Sequence, residues 1–140
     1  MTTIAPCDTK ELLTTLLEES KEQLAYFFDT LDLTAIHALF THLSTSTGTL
    51  FLSGVGKSGI VAKKIAATMN ASGTKALYLS PLNALHGDIG IVAAQDTILL
   101  ISKSGESDEL LNLCPALRNR GAHLVAVVSQ VSSRLAKACD

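Results

Sequence analysis

Two short segments of this 140-residue sequence concentrate the residue types that hold anions. Ser53-Gly54-Val55-Gly56-Lys57-Ser58-Gly59 supplies glycines, hydroxyls and a lysine, and Ser102-Lys103-Ser104-Gly105-Glu106-Ser107 supplies three serines with a lysine and a glutamate. Each segment follows a short apolar run and opens a helical pattern. A helix start in that setting offers free N–H groups and the positive end of the helix dipole, the arrangement that receives phosphates. Ser102, Ser104 and Ser107 can add O–H donors converging on one phosphate. The bland alternatives are a tight strand-to-helix turn for the glycines and a serine that simply caps its helix, with Glu106, Asp108 and Glu109 in the first turn.

Gly54, Gly56 and Gly59 match the dinucleotide pattern G-x-G-x-x-G, yet no acid falls near Lys75 to Leu79, where a ribose hydroxyl would need one. A P-loop ending at Gly56-Lys57-Ser58 requires glycine where Phe51 stands. Leu85-His86-Gly87-Asp88 is a third feature, a loop histidine that is structural or catalytic. His37, His42 and His123 have no partners in sequence. From Leu33 to Gly87 there is no Asp or Glu, while Lys57, Lys63, Lys64 and Lys75 lie there, a charge pattern suited to an anion.

The elements that must position these loops are legible from periodicity. Apolar residues from Leu12 to Leu31 recur at helical spacing over 10–30, and Asp32 can cap a second helix with Ala35, Ile36, Leu39, Phe40 and Leu43 on its apolar face. Short apolar runs over Thr49–Ser53, Ala76–Leu79, Thr97–Ile101 and His123–Val128 read as buried strands. Between them Ser58–Ser72, with Ile60, Val61, Ile65, Ala66 and Met69 on one face, and Ser107–Arg120, with a kink expected at Pro115, read as crossover helices. Ser132–Ala138 continues the series. The expected fold is α/β: a three-layer sandwich with a parallel, doubly wound sheet, preceded by two helices.

With 47% hydrophobic residues the chain can bury one core, so 1–140 is expected to be one domain. A net charge of −2 without basic runs argues against nucleic acid, and no leader or apolar stretch of membrane-spanning length is visible. A soluble, cytoplasmic protein is expected. Cys7, Cys114 and Cys139 are odd in number and form no CxxC pair, against a disulfide framework or structural zinc.

Taken together, Gly54-Val55-Gly56-Lys57-Ser58-Gly59, Ala71-Ser72-Gly73-Thr74, His86-Gly87-Asp88-Ile89-Gly90 and Ser102-Lys103-Ser104-Gly105-Glu106-Ser107 resemble the sugar isomerase (SIS) domain, and within it the arabinose 5-phosphate isomerases. The resemblance implies interconversion of D-ribulose 5-phosphate and D-arabinose 5-phosphate on the way to 3-deoxy-manno-octulosonate and lipopolysaccharide. It assigns phosphate binding to Ser102, Ser104 and Ser107, the sugar site to Ser53, Gly54, Gly56, Ser58 and the Ser72–Thr74 turn, and chemistry to Lys57, Glu106 and His86. Aldose–ketose exchange through an enediol needs a base and an electrostatic stabiliser, for which Glu106 and Lys57 are the first choices, with His86 moving protons between oxygens. No cofactor or metal is required, although His86 could attract an adventitious ion, and a dimer or tetramer is implied. A non-catalytic phosphosugar sensor on the same fold is the alternative. Full-length members continue into a further strand and commonly a pair of cystathionine-β-synthase-type (CBS) domains, so the domain is expected to be incomplete at its C-terminus. Lys103 stands where the family form has Asn, adding positive charge near the phosphate.

Overall fold

A computed structural model describes residues 9–140, in two compact units that divide between Phe40 and Thr41. In the first, α1 (Thr9–Asp29) carries exposed apolar residues including Leu17, Phe27 and Phe28. Asp32 caps α2 (Leu33–Thr45) as expected: its Oδ1 accepts from the amides of Thr34 at 2.9 Å and Ala35 at 3.1 Å. Cys7 lies outside the described residues.

The second unit alternates β1 (Leu50–Gly54), α3 (Lys57–Ala71), β2 (Ala76–Tyr78), α4 (Pro81–Leu85), a 3-10 turn (Asp88–Ile91), β3 (Thr97–Ile101), α5 (Asp108–Asn119), β4 (His123–Val127) and α6 (Arg134–Ala138). All strand pairs are parallel, in the order β2-β1-β3-β4. The chain therefore leaves β1 toward one edge and β3 toward the other. Right-handed crossovers in opposite directions cover opposite faces, which is the doubly wound arrangement. Phe51, Ile98, Leu100 and Leu124 form one core with Leu110, Leu113, Cys114 and Leu117 of α5 and Leu135 of α6. Cys114 is a buried free thiol in that core, and Cys139, also free, packs at its margin.

The packing of α3 corrects one expectation. Its buried residues are Gly59, Ala62 and Ala66, whereas Ile60 and Val61 are exposed and Ile65 and Met69 only half-buried. The cause is close approach, because a Cβ on Gly59 would stand 2.7 Å from the carbonyl oxygen of Gly54. Large side chains cannot occupy that contact, so periodicity of bulk points to the wrong face. A second feature that apolar pattern does not reveal is α4, whose five residues are too few to display a period; Ser80 caps it and Pro81 opens it. Helix α5 runs on past Pro115.

At the amino ends of the strands, buried Asp96 ties the start of β1 to the turn before β3: Oδ1 accepts from Thr49 N and Oδ2 from Ala93 N, both at 2.7 Å. His42 of α2 meets Thr97 Oγ1 through Nε2 at 2.8 Å and lies against the His123 ring, centroids 4.1 Å apart. Replacing Asp96 by Ala leaves two inward amides without their acceptor, so Asp96→Ala is expected to lower unfolding free energy by about 3 kcal/mol, read from the urea midpoint. A midpoint within error of the parent would remove Asp96 from this role.

Candidate functional site

Because β1 and β3 are neighbours whose connections diverge, the turns at their carboxyl ends flank the crevice that such sheets leave open at the switch of direction. The two sequence segments are thus brought together. The crevice, about 430 Å³, is lined by Ser58, Ser102, Lys103, Ser104, Ser107, Ser129 and Gln130. Its lining holds hydroxyls, one amide, one ammonium and no carboxylate.

The serine loop is built from its own backbone. Ser102 is buried; its Oγ accepts from Gly105 N at 3.1 Å and shares a 2.9 Å hydrogen bond with Ser107 Oγ, while Ser104 Oγ accepts from Glu106 N at 3.2 Å. Gly105 adopts φ +70 and lies against Ser133, so a side chain there meets both a strained backbone and an occupied space. Ser107 holds the cap position of α5 but makes no capping bond, since its hydroxyl is turned to Ser102. The reading of a serine that merely caps the helix is therefore not what forms, and the first turn of α5 stays open to an anion. The start of α3 is similar: its cap residue is Gly56, at φ 55, and no side chain caps it.

Glu106 is held in an ion pair. Its Oε1 accepts from Arg134 N at 3.0 Å and its Oε2 from Arg134 Nε at 2.6 Å, while Arg134 Nη2 donates to Asp108 at 2.9 Å. The hydrogen bond to the Arg134 guanidinium, aided by that to its amide, holds the Glu106 carboxyl below its usual range. A carboxylate so engaged is a weak proton acceptor and reads as a brace between the serine loop and α6. Leu135 N, donating to Gly105 O at 3.0 Å, is part of the same brace.

A second concavity of about 280 Å³ lies beside the glycine turn, lined by Gly54, Val55, Gly56, Tyr78, Ser80, Pro81, Leu82 and Glu109. Tyr78 Oη donates to Gly54 O at 3.1 Å, and Lys63 Nζ stands 4.8 Å from the centre of its ring. Ser53 is fully buried, and its Oγ has no hydrogen-bond partner among the described residues.

Other sequence-derived candidates fall elsewhere. Lys57 is exposed at the first position of α3 and lines neither concavity. His86 is exposed at the end of α4 and lines neither one. The Ser72–Thr74 turn lines neither concavity: Ser72 Oγ donates to Met69 O at 2.9 Å, and Thr74 lines a separate cavity with Gly48, Leu50 and Thr97. That turn joins the end of α3 to the start of β2, so the topology sends it to the amino ends of the strands, away from the crevice. Sequence reasoning missed Glu109, Tyr78, Ser129 and Gln130. The polar run after β4 was the available signal for the last two, being one more turn at a strand's carboxyl end. Among the described residues no group of three or more His, Cys, Asp or Glu could hold a metal ion, and no helix is long and apolar enough to cross a membrane.

Fold and crevice define a doubly wound α/β domain with a hydroxyl-lined site at its switch point. The SIS domain family matches residues 42–140, and the chain belongs to that family. It is 39% identical over 136 residues to an uncharacterized protein of Chlamydia pneumoniae, covering 97% of this chain and 41% of that one. It is 45% identical over 93 residues to arabinose 5-phosphate isomerase KpsF of Escherichia coli O6:H1, covering 66% of this chain and 28% of the enzyme. The chain thus spans less than half the length of these curated relatives. Among solved structures it resembles E. coli CFT073 c3406 in complex with A5P, with a TM-score of 0.87 and 33% identity over 98% of this chain and 72% of that one.

The brace predicts a titration change. Because its folded-state affinity for a proton is lowered, Glu106 stabilises the fold at neutral pH, and this contribution is lost as pH falls through its depressed value. In Arg134→Leu the Glu106 carboxyl should titrate higher, by carbon-detected NMR, and acid unfolding should begin at higher pH. An unmoved titration would show that Arg134 does not hold it.

Proposed function

We propose that this domain binds a pentose 5-phosphate, its phosphate in the serine-lined crevice, and that the protein interconverts D-ribulose 5-phosphate and D-arabinose 5-phosphate through an enediol, serving 3-deoxy-manno-octulosonate and lipopolysaccharide synthesis. The observation that carries this reading is the convergence of Ser58, Ser102, Ser104 and Ser107 on one space without a carboxylate, at the open start of α5. Similarity to KpsF and to the c3406 structure with A5P supports the choice of sugar.

The phosphate, which does not react, anchors the open-chain sugar so that C1 and C2 are presented in one geometry. Glu109 is the carboxylate best suited to move the proton between them. It faces the concavity formed by Gly54, Gly56 and Tyr78 and makes no ion pair among the described residues, in contrast to Glu106. Lys57, at the adjoining start of α3, supplies positive charge to the enediol oxygen. His86 keeps the part of carrying a proton between substrate oxygens. Ser53, buried beneath the glycine turn, shapes the sugar site from below. A cytoplasmic homo-oligomer belongs to the same reading, supported by exposed apolar side chains on α1 such as Leu17 and Phe28, at 70% and 65%.

Calorimetric titration with arabinose 5-phosphate, with unphosphorylated arabinose and NAD as controls, tests the site. Ser104→Ala should weaken phosphosugar binding about tenfold by loss of a hydrogen bond to a charged group. In the full-length protein Glu109→Gln should reduce turnover by a factor of about 10² to 10⁴ with binding retained, and Glu106→Gln by much less. Binding without turnover in the full-length parent would favour a phosphosugar sensor, and a larger loss at Glu106 than at Glu109 would return the base to Glu106.

A further inference from the structure

We infer that Lys103 reads the charge of the ligand's phosphate, so that this crevice selects a sugar phosphate over the neutral sugar by an ion pair added to its hydrogen bonds. The inference rests on the phosphosugar reading and adds a residue that sets its selectivity. Lys103 is the one charged side chain in the lining of the crevice, between the two serines that bound it in sequence. Two carboxylates lie within five residues of it, yet both are engaged. Glu106 and Asp108 are held by Arg134 at 2.6 Å and 2.9 Å, and Lys103 makes no ion pair among the described residues.

Arg134 and Lys103 thus divide two jobs that one cation could not do together. The guanidinium, planar and able to bond several oxygens, neutralises the acids of the loop from the α6 side. The ammonium, a compact charge on a flexible stem, is left unpaired among the described residues on a residue that lines the crevice. Its backbone is fixed meanwhile, because Lys103 O accepts from Ser129 N at 3.0 Å, tying the loop to the end of β4. The hydroxyls and open amides of the crevice recognise phosphate oxygens through short-range hydrogen bonds, largely insensitive to salt. An exposed ammonium acts through a field that salt screens within about 8 to 10 Å at ordinary ionic strength. The two contributions are therefore separable by experiment.

Titration of the parent chain, Lys103→Asn and Lys103→Arg with arabinose 5-phosphate, inorganic phosphate and arabinose, at low and high ionic strength, tests this. The parent should bind both phosphates, with affinity falling as salt rises. Lys103→Asn should bind arabinose 5-phosphate about tenfold more weakly at low salt and approach the parent at high salt, while Lys103→Arg keeps the salt dependence. Lys103 is exposed and packs into no core, so the variants should share the parent's melting temperature. Equal affinity and equal salt dependence in parent and Lys103→Asn would overturn the role of Lys103 and leave the phosphosugar reading standing. A folded parent that binds neither phosphate would overturn both.

Discussion

The parallel pairing of β1 with β3, from Leu50 opposite Thr97 to Gly54 opposite Ile101, is the constraint on which the rest of this domain depends. It puts Gly54 and Ile101 at the same height in the sheet, so the turns that follow leave from one edge. Since one crossover goes to β2 and the other to β4, nothing of the chain's own main connections passes between them. A crevice there is a topological consequence, independent of what lines it. The sequence then decides its chemistry by supplying small residues on the β1 side and hydroxyls on the β3 side.

Holding the serine loop in shape falls to the segment after β4. Ser129 N, Leu135 N and Arg134 donate to Lys103, Gly105 and Glu106 of that loop, and the absence of a side chain at Gly105 lets Ser133 come close. The loop is accordingly clamped from behind by α6 while its front faces the crevice. The same clamp decides the electrostatics. Without Arg134 the acids at 106 and 108 would lie beside an anion site with their charge uncompensated; with it, the loop presents Lys103 and hydroxyls forward and its acids backward. Glu106 serves in that sense as a brace of the loop, tying the serines it adjoins in sequence to α6.

That distinction explains what could be read from the sequence. The strands, the two loops and the doubly wound order follow from alternation of apolar runs with helical spacing, and Asp32 announces α2 by its place alone. Pairings across long separations leave no local trace: Glu106 with Arg134 is separated by 28 residues, and nothing near either one signals the other. The buried face of α3 was misread because close packing selects for the absence of side chains, as at Gly59, Ala62 and Ala66, while periodicity detects their presence. The position of the Ser72–Thr74 turn was illegible for another reason. Its residue types suit a sugar site, but whether a turn lies at the carboxyl or amino ends of the strands is decided by topology, and a turn entering a strand belongs to the amino side.

Where the domain departs from ordinary local rules, the departures gather in one place. The starts of α3 and α5 lack side-chain caps, an omission that costs a typical helix about 1 kcal/mol, or a few tenths where glycine holds the cap as Gly56 does. Lys57 stands in the first turn of α3, where the dipole disfavours a cation. Among the described residues Lys103 is left without a counter-ion, and Ser53 Oγ is buried without a partner. The amino ends of the strands show the opposite: Asp96 satisfies two amides, His42 meets Thr97, and Asp140 accepts from Leu124 N while paired with Arg118. One fold thus contains an end where polar groups are matched internally and an end where several are left unmatched among the described residues. At the start of α5 and at Lys103 an anion rich in oxygen acceptors supplies the missing partner, which is why the unmatched end, and not the more elaborate network opposite, is the one that reads as a binding site.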